Sequence, residues 1–150
     1  MQLLMQTDGT VTDLIKLLTK EDIKVVKLSE KTDESTHVLN RQIYLQGVSS
    51  HINWLYATSK IYMDNLSDEF VCELKEGNVP IGALWIKYRM ETFKQLVDQY
   101  EELSSDNASE ISLTSSKYLT RIYQVFNQSK LIMEITEKFP IDKYQGLATN

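Results

Sequence analysis

The residues most able to do chemistry in this sequence are ionisable side chains that fall on the apolar faces of predicted strands. Side chains alternate between the two faces of a strand, so Glu137 in LIMEITEKFP shares a face with hydrophobic residues of that stretch. The same parity puts Arg41 with the hydrophobic residues of LNRQIYLQG, and Arg121 with those of YLTRIYQVFN. Three strands therefore each direct one charged group towards an apolar face.

Two explanations fit this pattern, because a buried charge is unfavourable unless it is paired and hydrogen-bonded. The first is a structural ion pair between Glu137 and one arginine, or a strand end at which the side chain reaches water. The second is an anion pocket inside the sheet. Arginine binds carboxylates through two parallel hydrogen bonds, and a carboxyl group in an apolar wall favours its protonated form, which suits it to donate a proton. Two arginines beside such a group fit a dicarboxylate substrate that requires acid catalysis.

Composition excludes several classes of function. The chain has 150 residues, 42% hydrophobic and 25% charged, as in a soluble globular protein of one domain covering residues 1–150. Its net charge of -5 gives no sign of the positively charged surface that binds nucleic acid or an anionic membrane. A lone Cys72, predicted to be buried and inert, excludes an intramolecular disulfide, and no histidine spacing indicates a metal site. The N-terminal apolar run is too short for a signal peptide or a membrane span, so we expect a cytoplasmic protein.

The strand patterns that must position the charged residues form two hairpins. GVSSH joins one pair of strands, and a turn at Asn127 to Lys130 joins the last pair. Strands that follow one another through short turns give an antiparallel sheet. The predicted strands are residues 23–28, 39–47, 53–63, 118–127 and 131–139.

Three helices are predicted between and before these strands, which makes the fold α+β, with the helices on one side of the sheet. The first is TVTDLIKLLTKE, with Thr10 or Thr12 as N-cap, and the second is SDEFVCELKEG, with Ser67 as N-cap. The third and longest helix, residues 81–103, is predicted from apolar residues that recur at close to helical spacing. A Ser-rich surface loop is predicted at residues 104–116.

Short motifs in this order resemble those of the chorismate lyase (chorismate pyruvate-lyase) family, including its small archaeal and bacterial members. The combination of the TE-x-F ending, the strand arginine and the P-[IL]-G turn is the most specific part, and the resemblance covers nearly the whole chain. The resembling segments are TDGTVT at 7–12, LNRQIYL at 39–45, YATS at 56–59, VPIG at 79–82, TRIYQV at 120–125 and ITEKFP at 135–140.

The resemblance implies an enzyme that splits chorismate into 4-hydroxybenzoate and pyruvate without a metal or organic cofactor. It also implies an antiparallel sheet of about six strands with helices, and an enclosed internal ligand site under helical flaps. By the same resemblance, Arg41 binds the ring carboxylate and Glu137 lies at the other end of the site. Our hypothesis is that Arg121 attracts the pyruvyl carboxylate and that protonated Glu137 assists departure of the ether oxygen.

The resemblance further implies substrate contacts from the helices. Ile81, followed by Gly82, corresponds to the backbone contact after the proline, and Val11 to the flap residue of the first helix. The sequence departs from the family at three positions: Val11 replaces a methionine, Gln42 a frequent glutamate, and Ala83 a common basic residue. None of these changes removes the arginine and glutamate pair.

Two alternatives remain from the sequence. The effector-binding domain of GntR-type transcription regulators shares this fold, so the chain could be a non-catalytic sensor of aromatic carboxylates. Those regulators carry an N-terminal DNA-binding domain, whereas this sequence begins directly with the ligand-binding motifs, so we expect an enzyme. A related lyase that gives another hydroxybenzoate isomer would keep the same arginine.

Overall fold

The computed structural model describes residues 11–77, 79–103 and 117–149 as a six-stranded antiparallel sheet with four helices, which confirms the predicted fold class. No helix in these ranges is long and apolar enough to span a membrane. The strands are β1 (Ile23–Asp33), β2 (Val38–Gly47), β3 (Asn53–Tyr62), β4 (Thr92–Leu103), β5 (Lys117–Asn127) and β6 (Lys130–Pro140). The helices are α1 (Val11–Thr19), α2 (Asp68–Glu76), α3 (Ile81–Lys87) and α4 (Ile141–Gln145), with short 3-10 turns at Met63–Asn65 and Gly146–Thr149.

The strands are ordered β1-β2-β3-β6-β5-β4 across the sheet. Both predicted hairpins, β2–β3 and β5–β6, are present. The last strand, β6, lies beside β3 in the middle of the sheet, and β4 forms the edge opposite β1. The strands that carry the three charged residues are therefore all interior, where both edges of each strand are hydrogen-bonded.

One face of the sheet packs against the helices in two hydrophobic clusters. The first joins α1 and α4 to β1, β2 and β3, and includes Ile15, Leu45 and Trp54. The second joins α2 and α3 to β2, β3, β5 and β6, and includes Phe70 and Leu84. The two clusters together give the sheet one covered face, as the alternating patterns of β2, β5 and β6 predict.

Helix α2 begins as predicted, because the Phe70 N–H donates to the Ser67 hydroxyl at 3.2 Å. The prediction that Cys72 is buried is wrong: the buried stripe of α2 runs through Phe70 and Leu74, and Cys72 lies on the exposed side. Its thiol donates to the Glu76 carboxylate at 3.4 Å, and this contact raises the pKa of Cys72.

The first helix and the first strand differ in detail from the predictions. Thr12 lies inside α1 and is not its N-cap, while the other candidate, Thr10, lies outside the described residues. The predicted loop at 104–116 also lies outside them. Strand β1 runs to Asp33 and not to residue 28, because its polar second half pairs with β2 in a hairpin.

The predicted long helix at 81–103 is wrong, because α3 ends at Lys87 and a strand follows. Arg89 adopts a left-handed conformation with φ of 52°, and the Met90 N–H donates to the Trp85 carbonyl at 2.9 Å. This is the geometry of a Schellman helix ending, which usually carries glycine at the left-handed position. An arginine there gives no sequence signal that the helix stops.

The apolar residues that suggested a continuing helix do not form a buried stripe. Phe93, Leu96 and Tyr100 are 66%, 50% and 40% exposed on the edge strand β4. An edge strand that is largely exposed has no alternation of buried and polar residues. Its hydrophobic residues therefore matched helical spacing by coincidence.

Candidate active site

A buried ion pair links the two strands of the last hairpin. Arg121 lies opposite Glu137 in the β5–β6 register. The Arg121 Nε and Nη2 groups donate to Glu137 Oε1 at 2.9 Å and 2.5 Å, and the Tyr123 hydroxyl donates to Oε2 at 3.1 Å. All three side chains are buried, with exposures of 4–5%. Both oxygens of the carboxyl group thus have donors.

The surroundings of Tyr123 keep its phenol neutral. Burial and the negative charge of Glu137 raise the pKa of Tyr123 well above its ordinary value, although Arg121 opposes the shift. Tyr123 therefore remains a hydrogen-bond donor at physiological pH.

A β-bulge brings Arg121 and Glu137 together. At the turn, Asn127 pairs with Lys130. If this register continued along the hairpin, Arg121 would lie opposite Thr136. The register shifts by one residue at Val125/Phe126, which puts Glu137 opposite Arg121 instead. The charged pair therefore depends on one extra residue in β6.

Arg41 is the second buried guanidinium, and its environment is different. It is 1% exposed, and among the described residues none of its three guanidinium nitrogens has a hydrogen-bond partner. The nearest carboxylate oxygen, from Glu30, lies 3.9 Å from Nε, too far for a hydrogen bond. Burial lowers the pKa of Arg41, and the charge of Glu30 partly opposes this. Buried donors require partners, so this guanidinium is suited to bind an anion.

A cavity lies where the two hydrophobic clusters of the core meet. Four of the predicted site residues line it: Val11 from α1, Ile81 and Gly82 from α3, and Glu137 from β6. Its remaining walls are mostly apolar, with side chains of β2, β3, β5 and β6. These lining residues include Ile43, Leu45, Leu55, Ala57, Ser59, Tyr123 and Ile135.

Arg41 and Arg121 are not among the described residues that line this cavity. Arg121 contacts Glu137, which does line it. Arg41 pairs in register with Ser59, whereas Glu137 pairs with Ala57. Two strand spacings and two residues separate Arg41 from Glu137, which corresponds to about 12 Å between their Cα atoms.

Arg41 instead appears in the wall of a second, polar cavity, together with Asn40, Thr58 and Lys60. Ser59 lines both cavities, so the strand pair at Arg41 and Ser59 separates them. The structure thus groups four of the six predicted residues around one cavity, pairs Arg121 with one of them, and leaves Arg41 at its border.

Two ionisable residues of the cavity wall, Tyr123 and Lys94, were not predicted as site residues from the sequence. Tyr123 shares strand parity with Arg121, so alternation along β5 was a sufficient signal. The position of Lys94 in the cavity wall was not predicted, because its strand was predicted to be part of a helix. Its Nζ lies 5.4 Å from the ring centroids of both Trp85 and Tyr123, and it lines the cavity. No group of three or more potential metal ligands of the His, Cys, Asp and Glu types occurs in the described ranges.

The order of the six strands and the helices on one face define the chorismate lyase-like fold class. The effector domain of PhnF from Mycobacterium smegmatis has this fold, with a TM-score of 0.63 and 11% identity, covering 90% of each chain. Full-length PhnF gives a TM-score of 0.64, with 91% of this chain and 66% of PhnF covered. At this identity the likeness concerns the fold alone.

The chain belongs to the family described as chorismate pyruvate-lyase Rv2949c-like, which matches residues 5–145. It is 28% identical over 148 residues to the putative lyase MJ0807 of Methanocaldococcus jannaschii, with 93% of this chain and 77% of the relative covered. It is 24% identical over 159 residues to the chorismate pyruvate-lyase of Mycobacterium tuberculosis, with 93% and 78% covered. The predicted family is thereby confirmed, and it is a family of lyases.

Proposed function

We propose that this protein is a cytoplasmic chorismate pyruvate-lyase that converts chorismate into 4-hydroxybenzoate and pyruvate. The observation that carries the proposal is Arg41, a fully buried guanidinium with three unpartnered nitrogens in the described structure, at the border of a cavity that contains Glu137. Such a group is unfavourable in the free protein and becomes favourable when a carboxylate binds it. Relatives named chorismate pyruvate-lyase support the substrate.

The reaction needs little from the protein beyond binding and orientation. The ring loses one proton, and the bond between the ring carbon and the ether oxygen breaks. The electron pair of that bond leaves with the oxygen, which gives the enolate of pyruvate, and this is then protonated at carbon. The ring becomes aromatic, so the step is strongly favourable. An apolar cavity excludes water and strengthens each electrostatic contact inside it.

Arg41 binds the ring carboxylate in this proposal. Its planar guanidinium supplies two parallel donors, which fix the ring in one orientation. Arg41 and Glu137 project from the same face of the sheet, with their Cα atoms about 12 Å apart. Arg41 therefore determines which ring carbon faces Glu137.

Glu137 accepts the ring proton. The sequence suggested a protonated Glu137 that donates to the ether oxygen, whereas in the structure its two carboxyl oxygens accept three hydrogen bonds from Arg121 and Tyr123. An ionised carboxylate is a base, so we assign it to proton removal. Arg121 and Tyr123 are positioning residues, because they hold this carboxylate against the cavity.

The helices close the site. Val11 of α1 is buried, and Ile81 and Gly82 begin α3, so two helices cover the cavity from the side opposite the sheet. These two helices narrow the way into the cavity. We therefore expect release of the aromatic product to limit turnover.

The test is to incubate the purified protein with chorismate and measure both products. Pyruvate is followed by reduction with lactate dehydrogenase, and the hydroxybenzoate isomer is identified by chromatography. Equal amounts of pyruvate and 4-hydroxybenzoate are expected, and Glu137→Gln should abolish both. Another isomer would indicate a related lyase. Tight binding of 4-hydroxybenzoate without turnover would contradict the proposal and indicate a ligand sensor.

A further inference from the structure

We propose that Lys94 binds the second carboxylate of the ligand, the one on the enolpyruvyl group, and thereby selects dianionic over monoanionic aromatic acids. The inference extends the proposed function, on which it rests for the identity of the natural ligand. It reassigns to Lys94 a role that the family resemblance gave to Arg121.

The position of Lys94 supports this role. It lies on β4 opposite Val125, a fully buried residue of β5, so its side chain is on the covered face of the sheet. It is half-buried and lines the same cavity as Glu137. Among the described lining residues, Lys94 supplies the positive charge and Glu137 the negative charge.

Two aromatic rings hold the ammonium group in place. Lys94 Nζ lies 5.4 Å from the ring centroids of both Trp85 and Tyr123, within the range of cation–π attraction. Trp85 belongs to α3, which covers the cavity, whereas Tyr123 belongs to the sheet. The cation therefore lies between the helical cover and the floor of the cavity, where a ligand's charged group would meet it.

Tyr123 connects Lys94 to the proposed base. Its hydroxyl donates to Glu137 at 3.1 Å, and its ring contacts Lys94. Lys94 and Glu137 thus contact two ends of one rigid side chain. A substituent on a ring held beside Glu137 can reach the ammonium group without leaving the cavity.

The charges around Glu137 also favour Lys94 over Arg121 for this task. Arg121 uses Nε and Nη2 on the Glu137 carboxylate and is not among the described lining residues. Its charge offsets that of Glu137. A dianion that places one carboxylate on Arg41 therefore meets its second positive charge in the cavity wall at Lys94.

The test uses two stable probes of similar shape that cannot undergo the elimination. 3-(Carboxymethoxy)benzoate carries two carboxylates, and 3-ethoxybenzoate carries one. Their dissociation constants are measured by calorimetry for the wild type, Lys94→Met and Lys94→Arg. Lys130→Met is the matched control, since Lys130 is exposed in the β5–β6 turn and its loss changes net charge equally.

We expect the wild type and Lys130→Met to bind the dianion about 10–100-fold more tightly than the monoanion, as a charge-assisted hydrogen bond contributes. Lys94→Met should bring this ratio close to one with little change for the monoanion, and Lys94→Arg should restore most of it. The inference would be overturned if Lys94→Met kept the ratio of the wild type. It would also be overturned if a folded Lys94→Met protein lost affinity for both probes equally. Absence of a preference in the wild type would overturn it too.

These outcomes are independent of turnover. If chorismate is not converted but Lys94→Met loses the dianion preference, the proposed function fails and the assignment of Lys94 stands. If chorismate is converted and the preference persists in Lys94→Met, only the assignment of Lys94 fails.

Discussion

Arg121 and Glu137 face each other across β5 and β6, with Arg121 Nε 2.9 Å from Glu137 Oε1 in the buried face of the sheet. The pair satisfies two of the three charges that the sequence places on that face. The third, Arg41, has no hydrogen-bond partner within the described structure. The two buried arginines therefore differ: Arg121 binds a carboxylate of the protein, whereas Arg41 is the residue that we propose binds a carboxylate of the ligand.

Breaking the Arg121–Glu137 pair should destabilise the fold strongly. Arg121→Met leaves a buried carboxylate without its cation, so we expect the free energy of unfolding to fall by about 3–5 kcal/mol. Adding Glu137→Met should recover most of this loss. Urea denaturation of Arg121→Met, Glu137→Met and the double variant measures the coupling. The exposed pair of Lys117 and Glu101 is the control, and its removal should change stability by less than about 1 kcal/mol. A comparably small effect for Arg121→Met would argue against a tightly coupled pair.

Removing Arg41 should have the opposite effect on the free protein. Arg41→Met replaces a buried cation that has no hydrogen-bond partner among the described residues, and only a distant ion pair with Glu30, by an apolar side chain of similar length. The free energy of unfolding should therefore rise by about 1–3 kcal/mol. Urea denaturation without ligand measures this change. Addition of 4-hydroxybenzoate should stabilise the wild type and leave Arg41→Met unaffected. A variant that is less stable than the wild type would show that Arg41 has a structural partner.

Glu21 should make stability depend on pH in the acidic range. Burial raises its pKa, but hydrogen bonds from Ser49, Ser50 and Trp54 outweigh this and lower it below 4.5. A depressed folded-state pKa contributes stability above the unfolded value, and this contribution is lost as pH falls through the folded value. Glu21→Gln should therefore cost about 1 kcal/mol at pH 7 and less at about pH 3.5. Urea denaturation at both pH values measures the difference, and a cost that grows in acid would contradict this reasoning.

Arg89 should be a site at which glycine stabilises the protein. Its φ of 52° is unfavourable for a residue with a Cβ atom and favourable for glycine. Arg89→Gly should raise the free energy of unfolding by about 0.5–1 kcal/mol, net of the greater chain entropy of glycine. Ala83→Gly, at an exposed position inside α3, is the control and should lower it by about 1 kcal/mol. Thermal denaturation of both variants compares them, and a destabilised Arg89→Gly would show that the arginine side chain matters more than its backbone conformation.

The sequence predicts the buried charges well because β2, β5 and β6 are interior strands with one covered face. On such strands, alternation of side chains decides which face each residue takes, and Arg41, Arg121 and Glu137 all follow it. Alternation does not decide which of them pair. The bulge at Val125/Phe126 shifts the register by one residue, and nothing in the local sequence marks it.

Lys94 could not be predicted for a different reason. Arg89 ends α3 without the glycine that usually marks a helix ending, and the exposed edge strand that follows lacks alternation. The residue that supplies the cavity's positive charge was therefore assigned to the wrong type of element. Its place in the cavity wall follows from the pairing of β4 with β5, which only the folded chain defines.

The most direct test of the account is a calorimetric titration of the wild type and Arg41→Met with 4-hydroxybenzoate. If the buried guanidinium of Arg41 binds the ring carboxylate, the wild type should bind 4-hydroxybenzoate with heat release. Arg41→Met should bind at least about 100-fold more weakly, because it loses a bidentate charge-assisted contact in a buried site. Equal affinities in two folded proteins would contradict the account.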